Sequence, residues 1–277
     1  AATAFALFAL AASASDRPEF RNSEEVEDGQ WLTPSKDYAN TRFSGLKEIT
    51  PQNVASLKVA WTFSTGISRG HEAAPLVVGS TMYVVTPYPN ILYALDLGNN
   101  GALKWKYDPK PEASAQGVVC CDVINRGCAY WENKIVYNTL DAYTVGVDAT
   151  TGQELWKTKL GEVHTGETMT MAPLIVNGIA LVGNSGADFG VRGWLVGIDV
   201  NNGKELWRAY STGPDKDVLI GDDYKPFYAS DQGHDLGVKS WPPGRWQVGG
   251  GRVWGWVSYD PQLDLIYYGT SNPAPWN

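Results

Sequence analysis

Histidine, cysteine and methionine each occur only three times in 277 residues. His71, His164 and His234 lie far apart and beside no cysteine pair, which excludes a zinc centre of the usual ligand spacing. No G-x-S-x-G elbow and no Walker loop occurs, so neither an α/β-hydrolase nucleophile nor a P-loop is encoded. Gly249-Gly250-Gly251 leads into aromatic, strand-like residues rather than a helix. It is therefore no dinucleotide fingerprint, and reads as a bulge or a close backbone approach. Positive charge is also short, with 22 Lys and Arg against 30 Asp and Glu and a net charge of −8. That balance argues against a nucleic-acid partner, which needs a basic face. No apolar run is long enough to span a bilayer. The odd cysteine count leaves one thiol free or paired outside this chain.

What is abundant points elsewhere. Gly 30, Trp 12 and Tyr 14 suit many short strands joined by tight turns, and 43% hydrophobic content can bury a large core. The small, apolar stretch Ala1 to Ala14 ends in Ala12-Ser13-Ala14, a small-x-small pattern ahead of the polar run Asp16 to Asp28. It is predicted to be the tail of an export signal, without the initiator Met and basic region such signals carry. Residues 15–277 are then expected to form the N-terminal part of a single domain, cut short at its C-terminus, and to be exported.

Three segments share one pattern. Tyr93-Ala94-Leu95-Asp96 runs to Gly101 and Trp105, Val145-Gly146-Val147-Asp148 to Gly152 and Trp156, and Val196-Gly197-Ile198-Asp199 to Gly203 and Trp207. The tryptophans are spaced 156 − 105 = 51 and 207 − 156 = 51. Each unit reads as a strand, a turn with Asp and Gly, and a strand ending in Trp. A period of this length with several strands per unit predicts an all-β fold of β-propeller blades. Each tryptophan is expected to dock on the next blade and touch no substrate. Further strand pairs are predicted at Ala74 to Thr86, Tyr130 to Thr139, Ala172 to Val182 and Val253 to Thr270. The Pro-, Asp- and Gly-bearing stretch Ser211 to Gln247 is expected to be a long surface loop. Roughly four blades result, about half of a large ring.

The feature least like a bland scaffold is Cys120-Cys121, followed by Asp122-Val123-Ile124-Asn125-Arg126-Gly127. Adjacent cysteines that oxidise close a small strained ring, and strain of that kind is tolerated mainly at functional sites. Packed thiols are the alternative. Around this pair lie Gly70-His71-Glu72-Ala73-Ala74-Pro75, Gly166-Glu167-Thr168-Met169-Thr170-Met171-Ala172-Pro173 and Gly183-Asn184-Ser185-Gly186-Ala187-Asp188-Phe189-Gly190-Val191-Arg192-Gly193. Downstream come Gly249-Gly250-Gly251-Arg252-Val253-Trp254-Gly255-Trp256 and Gly269-Thr270-Ser271-Asn272-Pro273-Ala274-Pro275-Trp276. In combination these motifs resemble the pyrroloquinoline quinone (PQQ) dependent alcohol dehydrogenases of the methanol/ethanol type, over nearly the whole of residues 15–277.

The resemblance implies an eight-bladed propeller with PQQ on its axis. It implies that Cys120 and Cys121 form a vicinal disulfide against one face of the quinone and that Trp254 stacks on the other, an arrangement suited to a flat conjugated ring. Glu72, Arg126, Thr170 and Ser185, with Gly186 and Ala187, match cofactor-edge positions. PQQ carries carboxylates, so Arg126 is the charge-assisted donor. Asp188 and Asn272 match metal ligands, and Trp276 a wall of the substrate chamber. Asp188 stands where the family usually has glutamate. It remains a hard oxygen ligand suited to Ca2+ or a lanthanide ion, one methylene shorter, and is expected to bind metal more weakly than glutamate would.

The same resemblance implies oxidation of methanol or another short-chain primary alcohol to the aldehyde by hydride transfer to metal-bound PQQ. Electrons would pass to a c-type cytochrome in the periplasm. The full-length partner state would be a homodimer or a small-subunit complex. The catalytic aspartate is expected beyond Asn272, outside this chain, so these residues alone are expected to be inactive and aggregation-prone. Two other readings stay open. A non-catalytic propeller scaffold explains the repeat but not Cys120, Cys121, Arg126, Trp254 and Asn272 together, and a quinoprotein could act on larger alcohols or sugars instead, although sugar-type relatives generally lack the adjacent cysteines.

Overall fold

The structure, a computed structural model, describes residues 29–274 apart from 120, 187, 188, 226, 227 and 232. Residues 1–14, Cys120, Ala187, Asp188 and Trp276, singled out above, lie outside the described residues.

Twelve of the strands build three antiparallel four-stranded sheets, each strand pairing with its sequence neighbour. The first sheet holds β1 (Leu76–Val78), β2 (Thr81–Val85), β3 (Leu92–Asp96) and β4 (Ala102–Tyr107). The second holds β5 (Cys128–Trp131), β6 (Lys134–Thr139), β7 (Tyr143–Asp148) and β8 (Glu154–Lys159), and the third β9 (Leu174–Val176), β10 (Ile179–Gly183), β11 (Trp194–Asp199) and β12 (Glu205–Tyr210). A hairpin of β13 (Val257–Asp260) and β14 (Leu265–Tyr268) begins a fourth. The first strands of successive sheets face one another, β1 with β5, β5 with β9 and β9 with β13. This is the radial stacking of propeller blades. Three complete blades and half of a fourth are described, close to the four the repeat predicts.

The local chemistry explains the repeat. Asp96, Asp148 and Asp199 each end the third strand of a blade. Each carboxylate accepts from backbone N–H groups in the turn that follows, from Gly98 at 3.0 Å, Thr151 at 2.7 Å and Asn201 at 2.8 Å. The turn closes when the N–H of Gly152 reaches Asp148 O and that of Gly203 reaches Asp199 O, at 2.9 and 2.8 Å. Gly152 and Gly203 hold φ of 75° and 73°, a region that glycine enters without strain. A side chain there would also have no room. A Cβ at Gly152 would lie 2.6 Å from the Trp105 indole, and one at Gly203 2.6 Å from that of Trp156.

Each of these tryptophans thus lies on the turn of the following blade and donates its indole N–H into it. Trp105 reaches Ala149 O at 3.2 Å, and Trp156 reaches Val200 O at 2.9 Å. Trp207 packs with Val253, Val257 and Ile266 of the fourth blade. The same contact appears once more where the repeat does not point to it, since Trp61 covers Gly101. Within the second and third blades the indole also sits directly across from a glycine, Trp156 opposite Gly146 and Trp207 opposite Gly197.

The apolar core is divided among the blade interfaces. Leu76, Val85, Leu92, Ile135, Tyr137 and Val145 fill the first, and Trp131, Val136, Trp156, Ile175, Trp194 and Val196 the second. Burial of one such indole contributes about 4–6 kcal/mol at most on area grounds.

The stretch after β12 is not simply surface loop. It contains one helical turn, α1 (Leu236–Lys239), and returns to the third blade through buried Thr212. Arg192 fastens it there. The guanidinium lies between the rings of Tyr210 (3.9 Å) and Trp246 (4.8 Å), pairs with Asp217 at 2.9 Å and donates to Thr212 O. Among the described residues no helix is long and apolar enough to cross a membrane.

Candidate functional site

The inner strand of each blade is entered by a segment arriving from the previous blade, and the candidate residues sit on these entry segments. Glu72 precedes β1, Arg126 precedes β5, Thr170 precedes β9 and Trp254 precedes β13. Because β1, β5, β9 and β13 face one another in order, residues up to 182 positions apart in sequence (254 − 72) converge at one end of the ring wall. The entry segments are also tied to each other. Ala74 bridges to Gly127 in parallel, and the N–H of Arg126 donates to Thr170 O at 3.1 Å.

Arg126 is the centre of the cluster. Its Nη1 donates to Thr170 Oγ1 at 2.9 Å, its Nη2 lies 3.6 Å from Glu72 Oε2, and its guanidinium carbon stands 5.0 Å from the centre of a Trp254 ring. The side chain is 16% exposed. Burial lowers its pKa and the Glu72 carboxylate opposes that shift, so it stays cationic at neutral pH. Thr170 is buried, whereas the Trp254 indole is 44% exposed and presents a broad aromatic surface beside a cation. A half-buried guanidinium, a hydroxyl and an open indole together suit a flat anionic ligand.

Ser185 joins this group at one remove. It forms a two-way backbone bridge with Thr168, and their hydroxyls are 2.9 Å apart. Gly186 is buried at φ 155° with the Gly166 carbonyl against it; a Cβ there would lie 2.6 Å from that oxygen. Asn184, also buried, closes the base of this loop by donating to Arg192 O and accepting from Trp194 N.

Cys128 is a free, buried thiol whose pKa burial pushes far up, and Cys121 is disulfide-bonded. Cys121 lies in an exposed turn at φ 68°, followed by Asp122 at φ 74°.

Asn272 sits beside the glycine run. The Gly251 N–H donates to Asn272 O at 3.2 Å, and a Cβ at Gly250 would meet that same oxygen at 2.6 Å, so Gly249-Gly250-Gly251 is the close backbone approach expected of it. Its Nδ2 donates to Pro273 O at 2.8 Å while Oδ1 accepts from Arg252 Nη2 at 3.4 Å. Arg252, buried and bonded also to Ser271, is a site neighbour that motif reading passes over. Among the described residues no three His, Cys, Asp or Glu side chains come together as a metal site. Asp188, the proposed carboxylate ligand, lies outside them.

Radial four-stranded blades define part of a β-propeller, with a cationic, aromatic cluster at the entry to its inner strands. Residues 31–276 match the family described as PQQ: glucose/ethanol/alcohol dehydrogenase, β-propeller domain, and the chain belongs to that family. The chain is 53% identical over 254 residues to a lanthanide-dependent methanol dehydrogenase of Methylacidiphilum fumariolicum (strain SolV), covering 91% of this chain and 42% of that protein. It is 44% identical to methanol dehydrogenase [cytochrome c] subunit 1 of Methylobacterium organophilum, covering 99% of this chain and 46% of that one. Among solved structures, a europium-containing methanol dehydrogenase superposes with a TM-score of 0.87 at 52% identity, over 92% of this chain and 44% of the other. The chain therefore spans less than half the length of the curated relatives it matches.

Proposed function

We propose that this chain is the cofactor-binding N-terminal part of a PQQ-dependent dehydrogenase that oxidises methanol or another short primary alcohol to the aldehyde. The observation that carries this reading is the convergence of Arg126, Glu72, Thr170 and Trp254 at one end of the inner strands. When bound, PQQ with its metal ion supplies the two-electron acceptor for the alcohol's hydride. The protein's residues bind and orient it. Arg126 neutralises a carboxylate at the ring edge, Thr170 and Ser185 donate hydroxyl hydrogen bonds, and Trp254 offers its open face for stacking. A Cys120–Cys121 disulfide covers the opposite face, consistent with a disulfide-bonded Cys121 in the neighbouring turn. Asp188 and Asn272 supply hard oxygen donors for Ca2+ or a lanthanide ion. Trp276 borders the substrate.

The lanthanide-dependent and europium-containing relatives support a lanthanide ion at this site, and the methanol dehydrogenase [cytochrome c] relative supports a cytochrome c as electron acceptor. The protein is exported to the periplasm, and residues 15–277 alone are inactive. The test is reconstitution of the full-length protein with PQQ and either Ca2+ or La3+, followed by dye-linked oxidation of methanol and ethanol. Bound-cofactor absorption and turnover of methanol with La3+ are expected. Failure to bind PQQ under either metal overturns the reading and leaves a propeller scaffold. Turnover of larger alcohols or sugars alone moves the substrate class.

A further inference from the structure

The segments that carry Glu72 and Arg126 run side by side and are fastened at two places. At the first, the Glu72–Arg126 ion pair at 3.6 Å is followed by the Ala74–Gly127 bridge. At the second stands Asp122, to which the family resemblance gives no role. Its Oδ1 accepts from the Val123 N–H at 2.8 Å and lies 3.3 Å from Arg69 Nη1, and its Oδ2 accepts from the Gly70 N–H at 3.4 Å. These donors hold its carboxyl below the usual range, the Val123 N–H foremost. Val123 is itself anchored. It is buried with Ala115, Leu140 and Val163, and its carbonyl accepts from the Tyr88 N–H at 2.8 Å. Cys121 and Asp122 both occupy left-handed backbone, a region that Asp enters through local hydrogen bonds of its side chain and that Cys seldom adopts. The Asp122 carboxylate bonds forward to Val123 and across to the Arg69–Gly70 turn, so it joins this left-handed pair to both segments.

We propose that Asp122 is a positioning residue. It locks the left-handed Cys121–Asp122 turn to the Arg69–Gly70 turn, and so fixes the Cys121 sulfur relative to Glu72 and Arg126. The inference rests on the proposed function, in which those groups wall the PQQ site, and it makes the spacing of the walls depend on one carboxylate outside the binding set.

The test uses the full-length holoenzyme and the variants Asp122→Ala, Asp122→Asn and Arg69→Gln. The readouts are the rate at which bound PQQ leaves on dilution, its absorption band and the thermal midpoint. Loss of charge-assisted hydrogen bonds predicts about tenfold or faster PQQ loss for Asp122→Ala, with a shifted band. Asp122→Asn keeps one acceptor for Val123 and falls between it and wild type. Arg69→Gln, which removes only an exposed ion pair, has the smallest effect. The midpoints of Asp122→Asn and Arg69→Gln stay within a few degrees of wild type.

Wild-type PQQ loss and band in Asp122→Asn and Asp122→Ala would overturn the proposal, as would PQQ loss that only tracks the fall in midpoint. Should Asp122→Ala fail to fold, Asp122→Asn decides alone. A wild-type protein that takes up no PQQ overturns the proposed function and this role with it. A wild type that binds while its variants bind equally well removes the positioning role only.

Discussion

Two glycines with nearly the same backbone separate the cost of a left-handed turn from the cost of losing a docked tryptophan. Gly79, at φ 58°, closes the turn between β1 and β2, and nothing lies within 4 Å of where its Cβ would be. Gly203, at φ 73°, has the Trp156 ring at 2.6 Å and Thr158 Oγ1 at 2.7 Å from that point. Gly79→Ala should therefore cost only the backbone term, about 1–2 kcal/mol. Gly203→Ala costs that as well and must also move the indole. It strains the packing and breaks the bond from Trp156 to Val200 O, for a total of about 3–5 kcal/mol. The assay is urea unfolding of the full-length protein followed by tryptophan fluorescence, with amide exchange in β8 and β11 as the local readout. Gly203→Ala should lose protection in both strands and Gly79→Ala in neither. Equal destabilisation by the two substitutions would refute the claim that the Trp156 contact, rather than the turn alone, holds these blades together.

Arg192→Lys keeps the charge but loses the planar group stacked between Tyr210 and Trp246 and one of the donors to Thr212 O. Limited proteolysis between residues 215 and 235 should quicken severalfold while the blades stay protected; unchanged cleavage would show that Arg192 does not anchor this stretch. Burial pushes Tyr83 up to about 12, and Tyr137 rises as well. The folded state therefore keeps phenol protons that the unfolded chain sheds from about pH 10. Stability is full below about pH 10 and falls as pH rises toward 12. Tyr83→Phe, which removes the titrating group and its bond to Ala149 O, should flatten part of that alkaline decline in a pH series of urea midpoints.

The features legible in the sequence are those built from local chemistry. An aspartate that caps its own turn, a glycine with positive φ and a tryptophan at fixed distance can all be read from spacing, and the three full blades follow them. The convergence of Glu72, Arg126, Thr170 and Trp254 also emerged, because motif identity carried what spacing could not. Trp61 escaped because 105 − 61 = 44 falls short of the 51-residue period, although its contact with Gly101 repeats the same docking. Asp122, Arg252 and Arg192 were equally hidden. Each earns its place through partners on other segments, and a single charged residue in a loop carries no periodic signal. The stretch from Ser211 to Gln247 read as a long surface loop for the same reason, since its attachment depends on a guanidinium that precedes it.

The docking contacts also bear on how the protein is made. Trp105 reaches Ala149 and Trp156 reaches Val200 across 44 residues of chain in each case. Every blade can thus be sealed as soon as the turn of its successor leaves the ribosome, with no wait for distant sequence. Contacts of this reach would let the wall assemble vectorially, one latch closing at a time from the N-terminal side. An error in one turn glycine would leave the blade before it unlatched, as at Gly203 for the Trp156 strand, while the latches nearer the N-terminus have already closed.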